Sequence, residues 1–142
     1  MSTPLIKPLY TARATATGGR AGHAVSDDGI LDVNLQPPKE MGGPGGATNP
    51  EQLFAAGYAA CFQSALGVVG RRKGVGTSDS LVDADVTIGT IQGGGYGLAV
   101  ALRVSIPGAD PETVRSLTEA AHEVCPYSNA TRGNIDVALE VG

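Results

Sequence analysis

The sequence contains no tryptophan, only two cysteines and only two histidines. The cysteines and histidines show no CxxC or HxxxH spacing, which argues against a structural zinc site, so no metal is expected. Charged residues make up 17% of the chain and the net charge is −4. The one basic cluster, Arg71 to Lys73, follows an apolar segment, whereas nucleic-acid binding requires a wider basic surface. We therefore expect no nucleic-acid partner.

Long apolar runs are also absent. The longest, residues 53–62, is about half of the ~20 residues that a membrane span requires, and Gln63 and Ser64 follow it. The first ten residues contain no apolar stretch typical of a signal peptide. We therefore expect no membrane span and a cytoplasmic location, where cysteines are inert core residues or redox-active ones rather than permanent disulfides.

What the sequence does contain is a clear alternation of strand and helix patterns. The length of 142 residues fits a single domain, 1–142. The patterns predict the order β-β-α-β-β-α-β, an α+β fold with antiparallel sheets. The predicted strands cover residues 7–17, 30–35, 81–91, 96–106 and 134–141. Inward-facing positions include Leu31 in the second strand and Thr90 in the third. Asp110 can cap the second helix, and Val124 is placed on its buried face.

The first predicted helix begins with a strong start signal. Asn49 can cap it, Pro50 occupies its first position, and Gly70 or Gly74 ends it. This helix is apolar nearly all round, and one small sheet covers only one side of such a helix. The pattern therefore predicts a homodimer with this helix at its centre.

Cys61 lies in the middle of this helix, and Cys125 lies at the end of the second one, before Pro126. Free cysteine commonly packs as a small hydrophobe, so a core role is one interpretation. A redox role requires a group that stabilises the thiolate. Arg20, in the glycine-flanked turn GGRAG, is a candidate for that group, although a solvated loop arginine is the alternative. Ser64 and Ser128 show no histidine and aspartate pattern typical of a serine hydrolase.

Three segments carry a resemblance to a known family: GGRAGHAVSDDGILDV, TNPEQLFAAGYAACF and EVCPYSNATRGN. The resemblance extends over nearly the whole chain, from the strand that contains Tyr10 to the last strand. The sequence resembles the organic hydroperoxide resistance (Ohr) branch of the Ohr/OsmC superfamily. The resemblance implies an intertwined homodimer with central helices wrapped by antiparallel sheets. It also implies a thiol peroxidase that reduces organic hydroperoxides to alcohols, with no bound cofactor and a dihydrolipoyl group on a lipoylated protein as reductant.

The resemblance also implies a role for four residues. Cys61 matches the peroxidatic cysteine, which becomes a sulfenic acid, and Cys125 matches the resolving cysteine, which forms an intramolecular disulfide with it. Arg20 matches the arginine that stabilises the thiolate and lowers its pKa. Glu51 matches the glutamate that orients this arginine. A short Cys61–Cys125 separation within one chain is then required.

Helix geometry adds an expectation about the dimer. Glu51 and Cys61 are ten residues apart, about 15 Å along one helix and roughly 80° around it. We therefore expect each active site to combine both cysteines of one chain with Glu51 and Arg20 of the other. Phe54, Tyr58 and Phe62 are expected to form an apolar wall that favours organic hydroperoxides.

Two other functions are compatible with the sequence. One is an OsmC-type peroxidase that accepts a broader range of peroxides. The other is a non-catalytic dimer that binds a small apolar ligand between its helices, with both cysteines structural.

Overall fold

The computed structural model describes residues 3–142. Contacts divide the chain into two compact units, Met1–Leu53 and Phe54–Gly142. The first unit contains a three-stranded antiparallel sheet in the order β1-β2-β3. Its strands are β1 (Ala14–Thr17), β2 (His23–Ser26) and β3 (Asp32–Asn34).

This sheet differs from the prediction in three respects. β1 begins at Ala14, so residues 7–13 of the predicted strand are not in regular structure. β2 was not predicted, because its four residues give too short an alternation beside the glycine-rich turn. Leu31 is exposed, because β3 begins only at Asp32 and Leu31 belongs to the preceding turn.

The second unit contains a three-stranded sheet in the order β4-β5-β6. β4 (Leu81–Thr90) and β5 (Tyr96–Ser105) form the predicted antiparallel hairpin, while β6 (Val137–Val141) runs parallel to β5. The prediction of a wholly antiparallel sheet was therefore wrong. The helical segment between β5 and β6 carries the chain back along the sheet, which a parallel pair requires.

Residues 3–142 contain three α-helices: α1 (Pro50–Lys73), α2 (Pro111–Val124) and α3 (Pro126–Thr131). The predicted caps are present, since the Asn49 and Asp110 side chains accept hydrogen bonds from the backbone N–H groups of Gln52 and Thr113. α1 ends at Lys73, before Gly74 with φ 71°. The helix α3 was not predicted, because a proline such as Pro126 can either follow the end of one helix or occupy the first position of the next.

The core of the second unit lies between one face of α1, the inner face of β5 and the buried face of α2. Its largest fully buried side chains include Tyr58, Phe62, Leu66, Leu102 and Leu117. Two predicted inward positions are exposed. Thr90 lies at the end of β4, and Val124 lies in the last turn of α2. At these element ends the periodicity no longer determines burial.

The apolar character of α1 is less uniform than the sequence predicts. Its large apolar side chains are buried or partly buried, whereas its exposed positions carry small, polar or charged residues, among them Gln52, Ala56, Ala60, Gln63 and Ser64. Among residues 3–142, α1 is the one helix long and apolar enough to cross a membrane by length and composition. Its buried face packs in the core of the second unit, as a core helix does.

Candidate active site

The two thiols meet in the second unit. Cys61 lies in the middle of α1 and is half-buried, and Cys125 lies between α2 and α3 and is fully buried. Their Sγ atoms are 3.4 Å apart and both thiols are free. The short separation within one chain that a disulfide step requires is therefore present.

The backbone on both sides of Cys125 fixes its position. Its N–H donates to the Ala121 carbonyl at 2.9 Å, which closes the last turn of α2. Its carbonyl accepts from the Asn129 N–H at 3.0 Å, which opens α3. The residue thus ends one helix and starts the next, and its side chain points into the core beside Cys61.

Burial raises the pKa of the Cys61 thiol, because a thiolate loses hydration there. The backbone N–H of Tyr127 acts in the opposite direction, and the neighbouring Cys125 raises the pKa further. This direction differs from the lowered pKa expected for a thiolate beside Arg20. Within the second unit burial dominates, so a reactive thiolate requires positive charge from elsewhere.

Arg20 and Glu51 form an ion pair within the first unit. The guanidinium Nη1 and Nη2 atoms donate to Oε1 and Oε2 of Glu51 at 2.7 and 3.0 Å. This two-point arrangement fixes the plane of the guanidinium as well as its position. Hydrogen bonding to Arg20 holds the pKa of Glu51 below its usual range, and the pKa of Arg20 is raised by the same bond.

Glycines build the turn that carries Arg20. Gly18 has φ 74°, a left-handed conformation that side chains other than glycine rarely adopt. A Cβ on Gly22 would lie 1.7 Å from the Thr17 carbonyl oxygen. Only glycine at both positions lets the backbone turn this tightly around residues 19–21 and present Arg20 to Glu51.

The Arg20–Glu51 pair predicts a pH dependence of stability. Because the folded pKa of Glu51 lies below its unfolded value, the pair stabilises the fold above the unfolded pKa and loses this effect as pH falls through the folded pKa. Arg20 is partly exposed, so we expect about 1 kcal/mol or less. Urea unfolding from about pH 3 to pH 7 should show a smaller acid-side loss for Glu51→Gln than for the native chain. The exposed Glu40→Gln is the control and should lose as much stability on the acid side as the native chain. An acid-side loss in Glu40→Gln that is reduced as much as that in Glu51→Gln would contradict the assignment.

The three aromatic residues proposed as a substrate wall have different environments. Tyr58 and Phe62 are fully buried core residues, whereas Phe54 is only partly buried. Phe54 and Tyr58 also contact the half-exposed ring of Tyr127, with ring centroids 6.0 and 5.6 Å apart. Of the three predicted residues, only Phe54 therefore has accessible surface. Tyr127 was not predicted at this surface, although it lies two residues after Cys125.

A buried polar network beside the cysteines was also missed. The Ser128 hydroxyl lies 2.8 Å from the Tyr58 hydroxyl and 2.8 Å from Nδ1 of His122. The Tyr58 hydroxyl lies 3.1 Å from that of Thr131. Ser128 therefore does have a histidine partner, contrary to the sequence analysis, but it is fully buried and shared with Tyr58. This is not the arrangement of a serine nucleophile.

Among residues 3–142 the structure contains no group of three or more side chains suited to hold a metal ion. The second unit does contain two adjacent thiols, one half-buried and one buried.

Comparison with known proteins identifies the class. The sequence model of the OsmC-like protein family matches residues 43–140. The fold is similar to the structure of an organic hydroperoxide resistance protein from Legionella pneumophila, with a TM-score of 0.91 and 49% identity over 96% of this chain and 99% of that one. The structure of OhrB of Bacillus subtilis is also similar, with a TM-score of 0.87 and 47% identity over 95% of this chain and 100% of that one.

A curated relative indicates the branch of the family to which this chain belongs. The organic hydroperoxide resistance protein of Xanthomonas axonopodis pv. citri is 55% identical to this chain, in an alignment that covers 94% of each chain. This chain therefore belongs to the OsmC-like family, in the branch of the organic hydroperoxide resistance proteins.

Proposed function

We propose that this chain is a thiol peroxidase that reduces organic hydroperoxides to alcohols. The observation that carries the proposal is the 3.4 Å separation of the Cys61 and Cys125 Sγ atoms. The names of the relatives, organic hydroperoxide resistance proteins, support the substrate class.

The reaction has three steps. The Cys61 thiolate attacks one peroxide oxygen, the O–O bond breaks, and the alkoxide leaves with a proton as the alcohol, so that Cys61 becomes a sulfenic acid. The Cys125 sulfur then attacks the Cys61 sulfur, which forms the disulfide and releases water. A dithiol reduces this disulfide through a mixed disulfide and is itself oxidised to a disulfide. We propose a dihydrolipoyl group on a lipoylated protein as this dithiol.

Arg20 would act in the first step. A guanidinium beside Cys61 would offset the burial that raises the thiol pKa, and would stabilise negative charge on the leaving oxygen. Glu51 would hold the guanidinium plane in place, which is what the two-point pair supports.

The chain would act as a homodimer with shared sites. Each site would combine the cysteines of one chain with Arg20 and Glu51 of the other. Ten residues of α1 separate Glu51 from Cys61, so the two side chains of one helix would be about 15 Å apart along it. Large apolar side chains in the N-terminal segment support a partner, because Leu5, Ile6, Leu9 and Tyr10 are all exposed.

Phe54 would contribute an apolar surface for the organic group of the substrate. Burying such a group contributes about 25 cal/mol per Å². Hydrogen peroxide offers no apolar group, so alkyl and lipid hydroperoxides would be preferred.

A steady-state assay tests the reductant and the substrate class together. We expect turnover of cumene hydroperoxide to be faster with dihydrolipoamide than with reduced thioredoxin, and faster than turnover of hydrogen peroxide under the same conditions. A preference for thioredoxin would contradict the reductant assignment. Equal rates with both peroxides would favour an OsmC-type peroxidase of broader preference.

A further inference from the structure

Three members of the hydrogen-bond network beside the cysteines lie three residues away from a cysteine in the sequence. Tyr58 precedes Cys61 by three residues on α1, and His122 precedes Cys125 by three residues on α2. Ser128 follows Cys125 by three residues on α3. Residues three apart on a helix are neighbours on its surface. These three members of the network therefore lie about one helical turn from a thiol.

This network provides the buried contacts of α3. A six-residue helix is too short to be stable alone, so tertiary contacts must hold it. Its two buried side chains, Ser128 and Thr131, are both polar. They contact Tyr58 of α1, and Ser128 also contacts His122 of α2. Hydrogen bonds of these two buried side chains, together with the packing of the half-exposed Tyr127 ring, therefore anchor the segment that begins at Cys125.

The distances allow one assignment of hydrogens that satisfies every contact. The Thr131 hydroxyl must donate to the Ser128 carbonyl, which can only accept. Tyr58 must then donate to Thr131, and Ser128 to Tyr58. The remaining contact requires Nδ1 of His122 to donate to the Ser128 hydroxyl. The result is a hydrogen-bond chain in which each group donates to the next, from His122 through Ser128 and Tyr58 to Thr131.

We propose that this hydrogen-bond chain positions Cys125 for the disulfide step, with Tyr58, Ser128 and His122 as positioning residues. The inference rests on the proposed peroxidase function. The sulfenic acid on Cys61 has two fates. Attack by the Cys125 sulfur gives the disulfide and water, whereas a second hydroperoxide oxidises it to a sulfinic acid and is reduced to the alcohol. A displaced Cys125 slows only the first fate.

The ratio of these two products is the readout. It depends only on how the sulfenic acid reacts, and not on how fast Cys61 attacks the first peroxide. We expect Tyr58→Phe, which leaves buried hydroxyl groups without a partner, to form sulfinic acid at about tenfold lower hydroperoxide concentration than the native chain. Intact mass measured across a series of cumene hydroperoxide concentrations gives the ratio.

Thr118→Val is the matched control. Thr118 is buried on α2 and its hydroxyl donates to the Val114 carbonyl, so this change also removes a buried hydroxyl but leaves the network intact. It should keep the native ratio. If Tyr58→Phe and Ser128→Ala both match Thr118→Val, the positioning role is wrong. If the native chain itself forms neither disulfide nor sulfinic acid, the proposed function fails instead.

Variants of His122 test the direction of the hydrogen-bond chain. The amide nitrogen of asparagine can occupy the place of Nδ1 and donate to Ser128, whereas the carboxylate of aspartate can only accept. We expect His122→Asn to retain a ratio close to the native one and His122→Asp to favour sulfinic acid. A native ratio of disulfide to sulfinic acid in His122→Asp would overturn the assigned direction of the hydrogen-bond chain.

Discussion

Replacement of Cys125 by serine should reduce steady-state turnover with a dithiol by about a hundredfold or more, while the first oxidation of Cys61 persists. The reason is that the buried Cys125 sulfur, 3.4 Å from Cys61, is the group positioned to convert the sulfenic acid into a disulfide. Replacement of Cys61 by serine should lower the peroxidase rate by at least about a thousandfold, because the nucleophile itself is lost.

Rapid mixing with cumene hydroperoxide separates the two variants. In Cys125→Ser a first, rapid equivalent of alcohol should form per chain, followed only by the slower alcohol that accompanies oxidation of the sulfenic acid to a sulfinic acid, whereas Cys61→Ser should form none. Undiminished dithiol turnover in Cys125→Ser would contradict the two-cysteine mechanism. Retained activity in Cys61→Ser would favour a structural role for both cysteines, as in an apolar ligand-binding dimer.

Replacement of Arg20 by methionine should slow oxidation of Cys61 by about a hundredfold to a thousandfold. Burial raises the pKa of this thiol, and the proposed guanidinium of the partner chain offsets that effect. The pH profile of Cys61 alkylation by iodoacetamide should therefore move to higher pH in Arg20→Met. Arg13→Met, which removes an exposed arginine from the same unit, is the control. An unchanged profile in Arg20→Met would contradict the assigned role.

Mixed dimers test whether the site is shared. A dimer of one Cys61→Ser chain and one Arg20→Met chain contains one complete site only if Arg20 acts on the cysteine of its partner. Co-expression with two different affinity tags isolates this dimer. We expect it to regain about half the activity of the native dimer, since one of its two sites would be complete. Activity as low as that of the two single variants would mean that each chain supplies its own arginine.

The amino-acid pattern predicted much of the fold for identifiable reasons. The long alternation in β4 and β5, and the caps at Asn49 and Asp110, are local signals that tertiary contacts did not override. The parallel pairing of β6 with β5 was missed, because alternation indicates a strand but not the direction of its neighbour.

Prediction of the candidate site had a similar limit. Sequence segments indicated Cys61, Cys125, Arg20 and Glu51, and the structure supplies the distances within each pair. The partners of Ser128 could not be read from the sequence, since Tyr58 is 70 residues away and its hydroxyl is placed by the packing of α3. The spacing of His122, Cys125 and Ser128 by three residues was visible but gave no sign of a shared hydrogen bond.

The most direct test of the two-cysteine mechanism is the intact mass of the reduced chain after one equivalent of cumene hydroperoxide. The mechanism predicts a loss of about 2 mass units per chain, because two hydrogens leave when Cys61 and Cys125 form a disulfide. A gain of one oxygen, or no change in mass, would contradict it.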